Sequence, residues 1–435
     1  MAQLSTADVQ TSVTRKTSVK ALIASLIGSS IEWFDYFLYG TAASLVFNKL
    51  FFPADDDVVS LLLSYLTFAL PFFIRPLGGI VFSHIGDKIG RKKTLVMTLS
   101  LMGGSTVLIG LLPHYNAIGV WAPILLITLR CIQGLGIGGE WGGALLLAVE
   151  YSNKNNRGFF GSIPQMGVTI GMVFGTLALS LMSMLPDNQF MSWGWRVPFI
   201  MSAVLVFIGL WIRSGLDETP AFKESKESGE VSRVPILDTL RYHWKSVLIA
   251  VGAKVVETGP FYIFGTFVIS YATNYLEYDR VDALNAVLIA AVVATLFIPY
   301  MGKLSDRIGR KPLYIAGTIA IILYAFPYFY LMSLQSVLLL TIATIIGLGI
   351  LWAPITAVLG TMFSEIFSTN VRYTGVSLGY QLGAALAGGT APLIATALLE
   401  AYDDSWVPVA IYMIVTAVIS LIAISAVRNS HKQEL

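Results

Sequence analysis

Apolar residues along this chain come in long blocks, separated by short turns rich in charge, proline or glycine. Ala21–Leu45, Leu61–Phe82 and Val337–Phe363 are each long enough to cross a hydrocarbon core of about 30 Å. Read at the helical period, the blocks predict twelve helices, at about 20–47, 60–84, 94–112, 121–149, 158–185, 195–213, 244–275, 283–303, 312–332, 336–363, 373–400 and 405–427. The one long polar stretch, Ser214–His243, mixes Asp217, Glu218, Lys223, Glu224, Lys226 and Glu227 and divides six helices from six. The expected architecture is an all-α polytopic membrane protein with a six-helix bundle at 20–213, a linker at 214–243 and a second bundle at 244–427. Residues 1–19 and 428–435 are short terminal segments, and the first span has no cleavage site after it, so it is expected to be retained.

Composition narrows the function. Of 435 residues 55% are hydrophobic and 12% charged, against about 25% charged in a soluble domain. That excludes a soluble enzyme, a nucleic-acid binder and a disordered scaffold. A net charge of +2 implies no acidic partner. The single cysteine, Cys131, excludes intramolecular disulfides and a cysteine metal cluster; His84, His114, His243 and His431 all fall outside the helix centres, so no metal is expected. No Gly-x4-Gly-Lys-Ser/Thr loop occurs, and no soluble segment is long enough for a nucleotide domain. No cofactor is therefore expected.

Basic residues set the orientation. Lys88, Arg91, Lys92 and Lys93, then Lys154 and Arg157, then Lys303, Arg307, Arg310 and Lys311 lie on alternate connections. With an even number of spans, this bias places both termini in the cytoplasm of a cell whose inner membrane holds the protein.

The chain also repeats itself. Ser83-x3-Asp87-Lys88-x-Gly90-Arg91-Lys92 recurs as Gly302-x3-Asp306-Arg307-x-Gly309-Arg310-Lys311, at an offset of 219; Glu150-x6-Arg157 recurs as Glu365-x6-Arg372, at an offset of 215. Two ordered motifs at nearly one offset indicate a duplicated six-helix unit. Parallel duplicated halves are a transporter design, with the substrate site between them near the midplane.

The Gly-x3-Asp-Arg-x-Gly-Arg-Lys loop resembles the signature of the major facilitator superfamily. Within it, Ile31-Glu-Trp-Phe-Asp35-Tyr, Ile74-Arg-Pro-Leu-Gly-Gly, the run from Arg130 to Gly142, Trp193-Gly-Trp-Arg-Val-Pro-Phe199 and Glu218-Thr-Pro-Ala-Phe222 resemble the metabolite:proton symporters, particularly shikimate-type members. Ser83 departs from the pattern, standing where the family loop has glycine. The resemblance implies two pseudo-symmetric halves, transport by alternating access, and no enzymatic activity.

Ionisable groups at membrane depth are costly and so are functional candidates. Glu32, Asp35, Tyr36 and Tyr39 fall on one face of the first helix, and Arg130, Gln133, Gly134 and Trp141 on one face of the fourth. A carboxylate facing a guanidinium suits proton coupling. Arg130 would hold Asp35 ionised, and its withdrawal, or competition from a substrate carboxylate, would let the acid take a proton. In proton-coupled relatives the matching residues act as this couple; the bland alternative is a static ion pair that fixes packing. Lys254 and Glu257, three apart with Phe261 and Tyr262 a turn later, form either a cationic anchor for a substrate carboxylate or an internal neutral pair. Arg75 either reaches Glu32 or Asp35 or snorkels to the interface. Glu140 lies roughly 80° from the Arg130 face, at about 100° per residue. The embedded acids (Glu32, Asp35, Glu140, Glu257) outnumber the bases (Arg75, Arg130, Lys254) by one, which favours a coupling cation.

Gln165, eight residues after Arg157, stands where sugar-transporting relatives in the superfamily place a substrate glutamine, and Gln381 is its near-equivalent in the second half. Both are expected to meet substrate or to bond helix backbone. Glycines at 134, 138 and 142, and at 375, 379 and 383, read as packing seams. Absence of a Gly-Pro-x-x-Gly-Gly stretch from the fifth helix favours symport over antiport. Asp87 and Asp306 are expected to meet helix N-termini of the opposite half, with Glu150, Arg157, Glu365 and Arg372 cross-pairing with Arg91 and Arg310. By the same resemblance these bonds hold the outward-open state. The reading is a monomeric, proton-coupled symporter of a small organic acid. An osmolyte carrier for proline or betaine is the alternative within the family, and a membrane-embedded enzyme or sensor the alternative outside it.

Overall fold

The computed structural model describes residues 15–89, 91–138, 156–214, 239, 241–367 and 372–427. These form helices in chain order, with no strand among the described residues. We label them α1 (Arg15–Ala42, prolonged through Ala43–Phe47 and Asn48–Leu50), α2 (Asp57–Ile89), α3 (Arg91–Leu111), α4 (Trp121–Ile137), α5 (Arg157–Ser183) and α6 (Arg196–Ser214). The second set is α7 (Trp244–Tyr275), α8 (Arg280–Ile308), α9 (Arg310–Ser333), α10 (Val337–Ile366), α11 (Arg372–Ala387, then Ala391–Ala401) and α12 (Val407–Ser425). Nine of the described helices are long and apolar enough to span a membrane; Val96–Leu111 and Trp121–Ile137 are shorter apolar helices. Outward-facing Phe207, Trp211, Leu296 and Leu323 are each about 70% exposed, as lipid-facing side chains are.

The segments match the hydropathy pattern, with one correction. The eleventh is not continuous: it turns at 388–390, where Gly388 and Gly389 combine poor helix propensity with Pro392, whose missing N–H leaves the Gly388 carbonyl without its helical donor. The turn lets α11 pass α2, because a side chain at Gly389 would strike Phe72 and Ala69. The linker expected at 214–243 and the two terminal segments lie almost wholly outside the described residues.

Glycine sets the closeness of packing. A Cβ on Gly138 would lie 2.0 Å from the Arg75 carbonyl oxygen, and one on Gly78 2.1 Å from that of Leu135, so α2 and α4 touch backbone to backbone. Gly379 and Gly383 do the same for α11 against Ala250 and Lys254 of α7. Gly309, at φ +95°, makes the tight turn from α8 to α9, a conformation that a Cβ disfavours.

A π-helical turn interrupts α1 at Ala43–Phe47 and α7 at Ile263–Phe267. The two are 220 residues apart, nearly the offset of the repeated loop motif, so the duplication extends to an irregular detail of backbone. Replacing Gly138 by valine is expected to force α2 from α4 and destabilise the protein by about 3 kcal/mol. Thermal unfolding of the purified variant measures this, and an unchanged midpoint would refute the backbone contact.

Candidate functional site

Arg130 has no exposed surface, yet it is a permanent cation. Its Nε donates to the carbonyl of Thr67 at 3.2 Å and its Nη2 to that of Phe68 at 3.1 Å. The Thr67 carbonyl is available because Pro71 follows: a proline removes the N–H that would bond the fourth residue before it. Gly134 lets α4 lie against Pro71, where a Cβ would come within 2.8 Å of the proline Cα, and this brings Arg130 to the freed backbone. The guanidinium also sits 3.6 Å over the Tyr39 ring and 5.2 Å from that of Tyr36.

The expected direct pairing of Arg130 with Asp35 is corrected. Arg130 Nη1 bonds Gln133 Oε1, Gln133 Nε2 donates to Thr106 Oγ1 at 2.9 Å, and Thr106 Oγ1 donates to Asp35 Oδ2 at 2.9 Å. Two side chains therefore stand between acid and base, while Oδ1 of Asp35 is buried with no hydrogen-bond partner. Two carbonyls, the Gln133 amide and two rings already surround the guanidinium, so the acid need not approach. Glu32 is buried on the same helix face and repels Asp35.

A second group of charges lines a small cavity between the two halves. Trp33 of α1, Phe72 of α2, Lys254, Glu257, Thr258 and Tyr262 of α7, Trp352 of α10 and Tyr380 of α11 are among its walls. Lys254 Nζ contacts Glu257 Oε2 and lies 3.6 Å over the Tyr380 ring. Glu257 also accepts from Thr258 at 3.0 Å and from Thr356 at 3.1 Å, so it is held from α7 and α10 together. Trp352 stacks on Phe261, centroids 4.4 Å apart, and donates Nε1 to the Glu257 carbonyl. Tyr262 turns a hydroxyl without a partner towards this space.

Arg75 does not snorkel, and among the described residues it pairs with neither Glu32 nor Asp35. It is 2% exposed, makes no ion pair among the described residues, and is held over the rings of Tyr36 (4.6 Å), Phe72 (4.7 Å) and Trp33 (5.6 Å), two of which wall the cavity. Gln165 donates to Thr356 across the halves, 3.2 Å to the carbonyl oxygen, leaving its own Oε1 unpartnered; Gln381 Oε1 is likewise buried without a partner. Gln133, expected at the substrate, is instead bonded at both ends of its amide to protein. Glu140, Trp141 and Glu150 lie outside the described residues, as do the side chains of Asp87, Arg91 and Arg372.

At the motif-bearing end, Asp306 caps the N-terminus of α5: its carboxylate accepts from the backbone N–H groups of Gly158 (2.7 Å) and Phe159 (3.1 Å). Gly158 is required, since a Cβ there would lie 2.6 Å from the Gly302 carbonyl oxygen and 2.9 Å from Asp306. Arg310 holds Asp306 at 3.2 Å and Glu365 at 3.1 Å, both within the second half, and Arg157 lies in electrostatic reach of Glu365 from the first. The opposite end is also bridged. Ser44 Oγ donates to the Thr266 carbonyl at 3.2 Å, joining the two π turns, and Tyr65 bonds Ser270 at 2.7 Å. The cavity is thus latched from both ends, where the family resemblance alone implied an opening on one.

Sequence reasoning missed Thr106, Trp33, Phe72, Trp352 and Tyr380. Trp33 stands inside the quoted Ile31–Tyr36 motif and Tyr380 beside Gln381; Thr106 carried no signal beyond being a hydroxyl in an apolar helix.

Comparison with known proteins identifies the class. The family model for the Major Facilitator Superfamily matches residues 25–366 and 260–434. The chain is 39% identical over 416 residues to the shikimate transporter of Escherichia coli K12, covering 95% of each. It is 37% identical over 414 residues to the proline/betaine transporter of Salmonella typhimurium LT2, covering 93% of this chain and 82% of the relative. Among solved structures it superposes on a D-xylose-proton symporter with a TM-score of 0.73 at 17% identity, over 97% of this chain and all of that one, a likeness of fold. The chain belongs to the Major Facilitator Superfamily, as a metabolite:proton-symporter-like member. It is a multi-pass membrane transporter of small molecules, not an enzyme.

Replacing Asp306 by alanine removes both backbone caps and the Arg310 pair. At about 1.5–3 kcal/mol for a bond to a charged group, the motif-bearing end should open at least tenfold more often. A cysteine at Ser162, in a Cys131→Ser background, reports this as faster labelling by a thiol reagent; an unchanged rate would show that Asp306 is no latch.

Proposed function

We propose that this protein carries a small organic acid into the cell together with a proton. The observation that supports this reading is a buried cation in the cavity wall: Lys254 lines it beside Glu257, with Arg75 resting on the rings of Trp33 and Phe72. A substrate carboxylate would compete with Glu257 for Lys254. Aromatic walls offer flat faces to a ring, and the free Tyr262 hydroxyl offers a partner for a hydroxyl group. A shikimate-like hydroxy acid combines these features.

The osmolyte reading draws on the proline/betaine relatives and on the aromatic cavity itself, since rings bind quaternary ammonium groups. Here the protein's own cations already occupy ring faces, Lys254 over Tyr380 and Arg75 over Tyr36, Phe72 and Trp33. That favours the acid.

Transport follows by alternating access. Substrate carboxylate would draw on Lys254 and Arg75, releasing Glu257 to its threonine partners. Asp35 would carry the proton, with Arg130 and Glu32 setting its field. Asp306, Arg310, Glu365 and Arg157 close the cytoplasmic side of a monomer whose termini both lie in the cytoplasm. No cofactor is needed, because the proton gradient supplies the work.

Uptake of labelled shikimate by reconstituted protein tests the reading. Accumulation should require an imposed gradient, acid outside. Asp35→Asn should abolish accumulation while keeping exchange, and Arg75→Ala or Lys254→Ala should each raise KM about tenfold or more. Accumulation without a gradient, or normal accumulation by Asp35→Asn, would overturn proton coupling; preferential uptake of glycine betaine would establish the osmolyte alternative.

A further inference from the structure

Thr106 occupies an unusual position in the chain of bonds between Arg130 and Asp35. Its hydroxyl has one hydrogen and two lone pairs, and three groups compete for them. Gln133 Nε2 lies 2.9 Å away, Asp35 Oδ2 2.9 Å and the Met102 carbonyl of its own helix 3.2 Å. Thr106, Gln133 and Arg130 are without exposed surface and Asp35 is 1% exposed, so solvent does not serve as a substitute partner.

The direction of each bond is fixed from one end. Arg130 is only a donor, so the Gln133 amide must turn Oε1 towards it. Gln133 Nε2 then faces Thr106 as a donor, and Thr106 must accept there. The threonine hydrogen is left with two destinations, Asp35 Oδ2 or Met102 O. When Asp35 is ionised, the hydroxyl donates to the carboxylate. When Asp35 carries a proton on Oδ2, that O–H can donate to the second lone pair of Thr106, and the hydroxyl hydrogen swings to Met102. Every hydrogen in the set has an acceptor in both states, and no heavy atom need move.

We propose that Thr106 is a hydroxyl rotor that lets Asp35 be loaded and unloaded with a proton inside a sealed interior, and that Gln133 polarises it on behalf of Arg130. Thr106 is thus a positioning residue for the coupling step, which is the step assigned above to Asp35; the rotor rests on that assignment. The groups acting on Asp35 are few. Glu32 lies on its own helix α1 and Arg130 on α4. Helix α2 adds Arg75 over the Trp33 and Tyr36 rings, and α3 adds Thr106; α5 and α6, which also pack on α1, contribute no charged group that acts on it among the described residues.

The test reads Asp35 directly and requires no substrate. In purified, lipid-reconstituted protein, pH-difference infrared spectroscopy records the carboxyl C=O band, assigned to Asp35 by its loss in Asp35→Asn. Thr106→Val keeps the shape of the side chain and removes the hydroxyl. The ionised form loses a charge-assisted bond and the neutral form a weaker one, so the titration midpoint should rise by about one pH unit. Thr106→Ser restores the hydroxyl and should titrate with the wild type. A Thr106→Val midpoint equal to wild type, a Thr106→Ser midpoint displaced as far as that of valine, or a wild type with no titrating Asp35 band would each overturn the rotor. Gradient-driven uptake by wild type is measured alongside. A Thr106→Val displacement together with gradient-independent uptake would leave the rotor standing and remove the coupling reading alone.

Discussion

A buried guanidinium in a membrane protein must be met by acceptors that the protein itself supplies, and the arrangement of the first half follows from meeting Arg130. Lipid offers it nothing, and the other helices have satisfied their own backbones. Pro71 breaks that satisfaction at one place by leaving the Thr67 carbonyl without its helical donor. Gly134 then permits α4 to come close enough for the arginine to use it. The proline, the glycine and the arginine form one device distributed over two helices. Its consequence is that the cation is neutralised mainly by dipoles and rings, which leaves Asp35 free of a tight ion pair. A carboxylate locked to arginine would be a poor carrier of protons, whereas one held by a single hydroxyl can change state at modest cost.

The second half pairs its buried charges directly but shares each with other groups. Lys254 and Glu257 are in contact, but each is also engaged elsewhere: the lysine by the Tyr380 ring, the glutamate by Thr258 and Thr356. Gly383 makes room for the lysine stem, since a Cβ there would lie 2.4 Å from Lys254 Cβ. Either ion can therefore leave its partner for a substrate without being stranded. Asp35 and the cavity are distinct but adjoining, linked by Trp33 and Tyr36 on α1 and by the Arg75 guanidinium resting on both rings. A substrate carboxylate drawing on Arg75 would alter the field on the helix that carries Asp35.

The fold was legible in the sequence because hydropathy and motif spacing depend on few, local rules: long apolar blocks span, basic loops orient, and repeated loops mark a repeated unit. The break in α11 was less so, since a Gly-Gly pair is common in membrane helices that do not turn. For the site, burial cost alone marked out Arg75, Arg130, Asp35, Lys254 and Glu257, and all five are buried. Their partners were not legible. Facing positions on α1 and α4 suggested direct contact, yet side-chain reach and the carbonyl freed by Pro71 decided otherwise. Thr106 is visible only once three helices are assembled, because a hydroxyl on an apolar helix ordinarily bonds its own backbone, as Ser105 does to Leu101.

The two halves meet along a seam that runs the length of the molecule. From one end to the other, α5 and α8 are joined by Asp306 on the Gly158 and Phe159 amides, by Thr295 to Thr169 at 2.7 Å, by Ser180 to Asn285 at 3.0 Å and by Arg280 to the Ser183 carbonyl at 3.0 Å. Bonds distributed in this way cannot all break together without a large cost, so the halves must turn about the seam, releasing one end at a time. The joined π turns at Ser44 and Thr266 stand at the end opposite the Asp306 cap. A π turn has one residue more than the helix around it and can return to regular pitch by a small shift in register. The backbone irregularity shared by α1 and α7 thus lies at one end, and the carboxylate cap lies at the other. Release of the first breaks the neutral bonds of Ser44 and Tyr65, with the Arg280–Asp187 ion pair on the seam at the same end. Release of the second requires a carboxylate to leave a helix N-terminus, which makes it the more selective of the two steps.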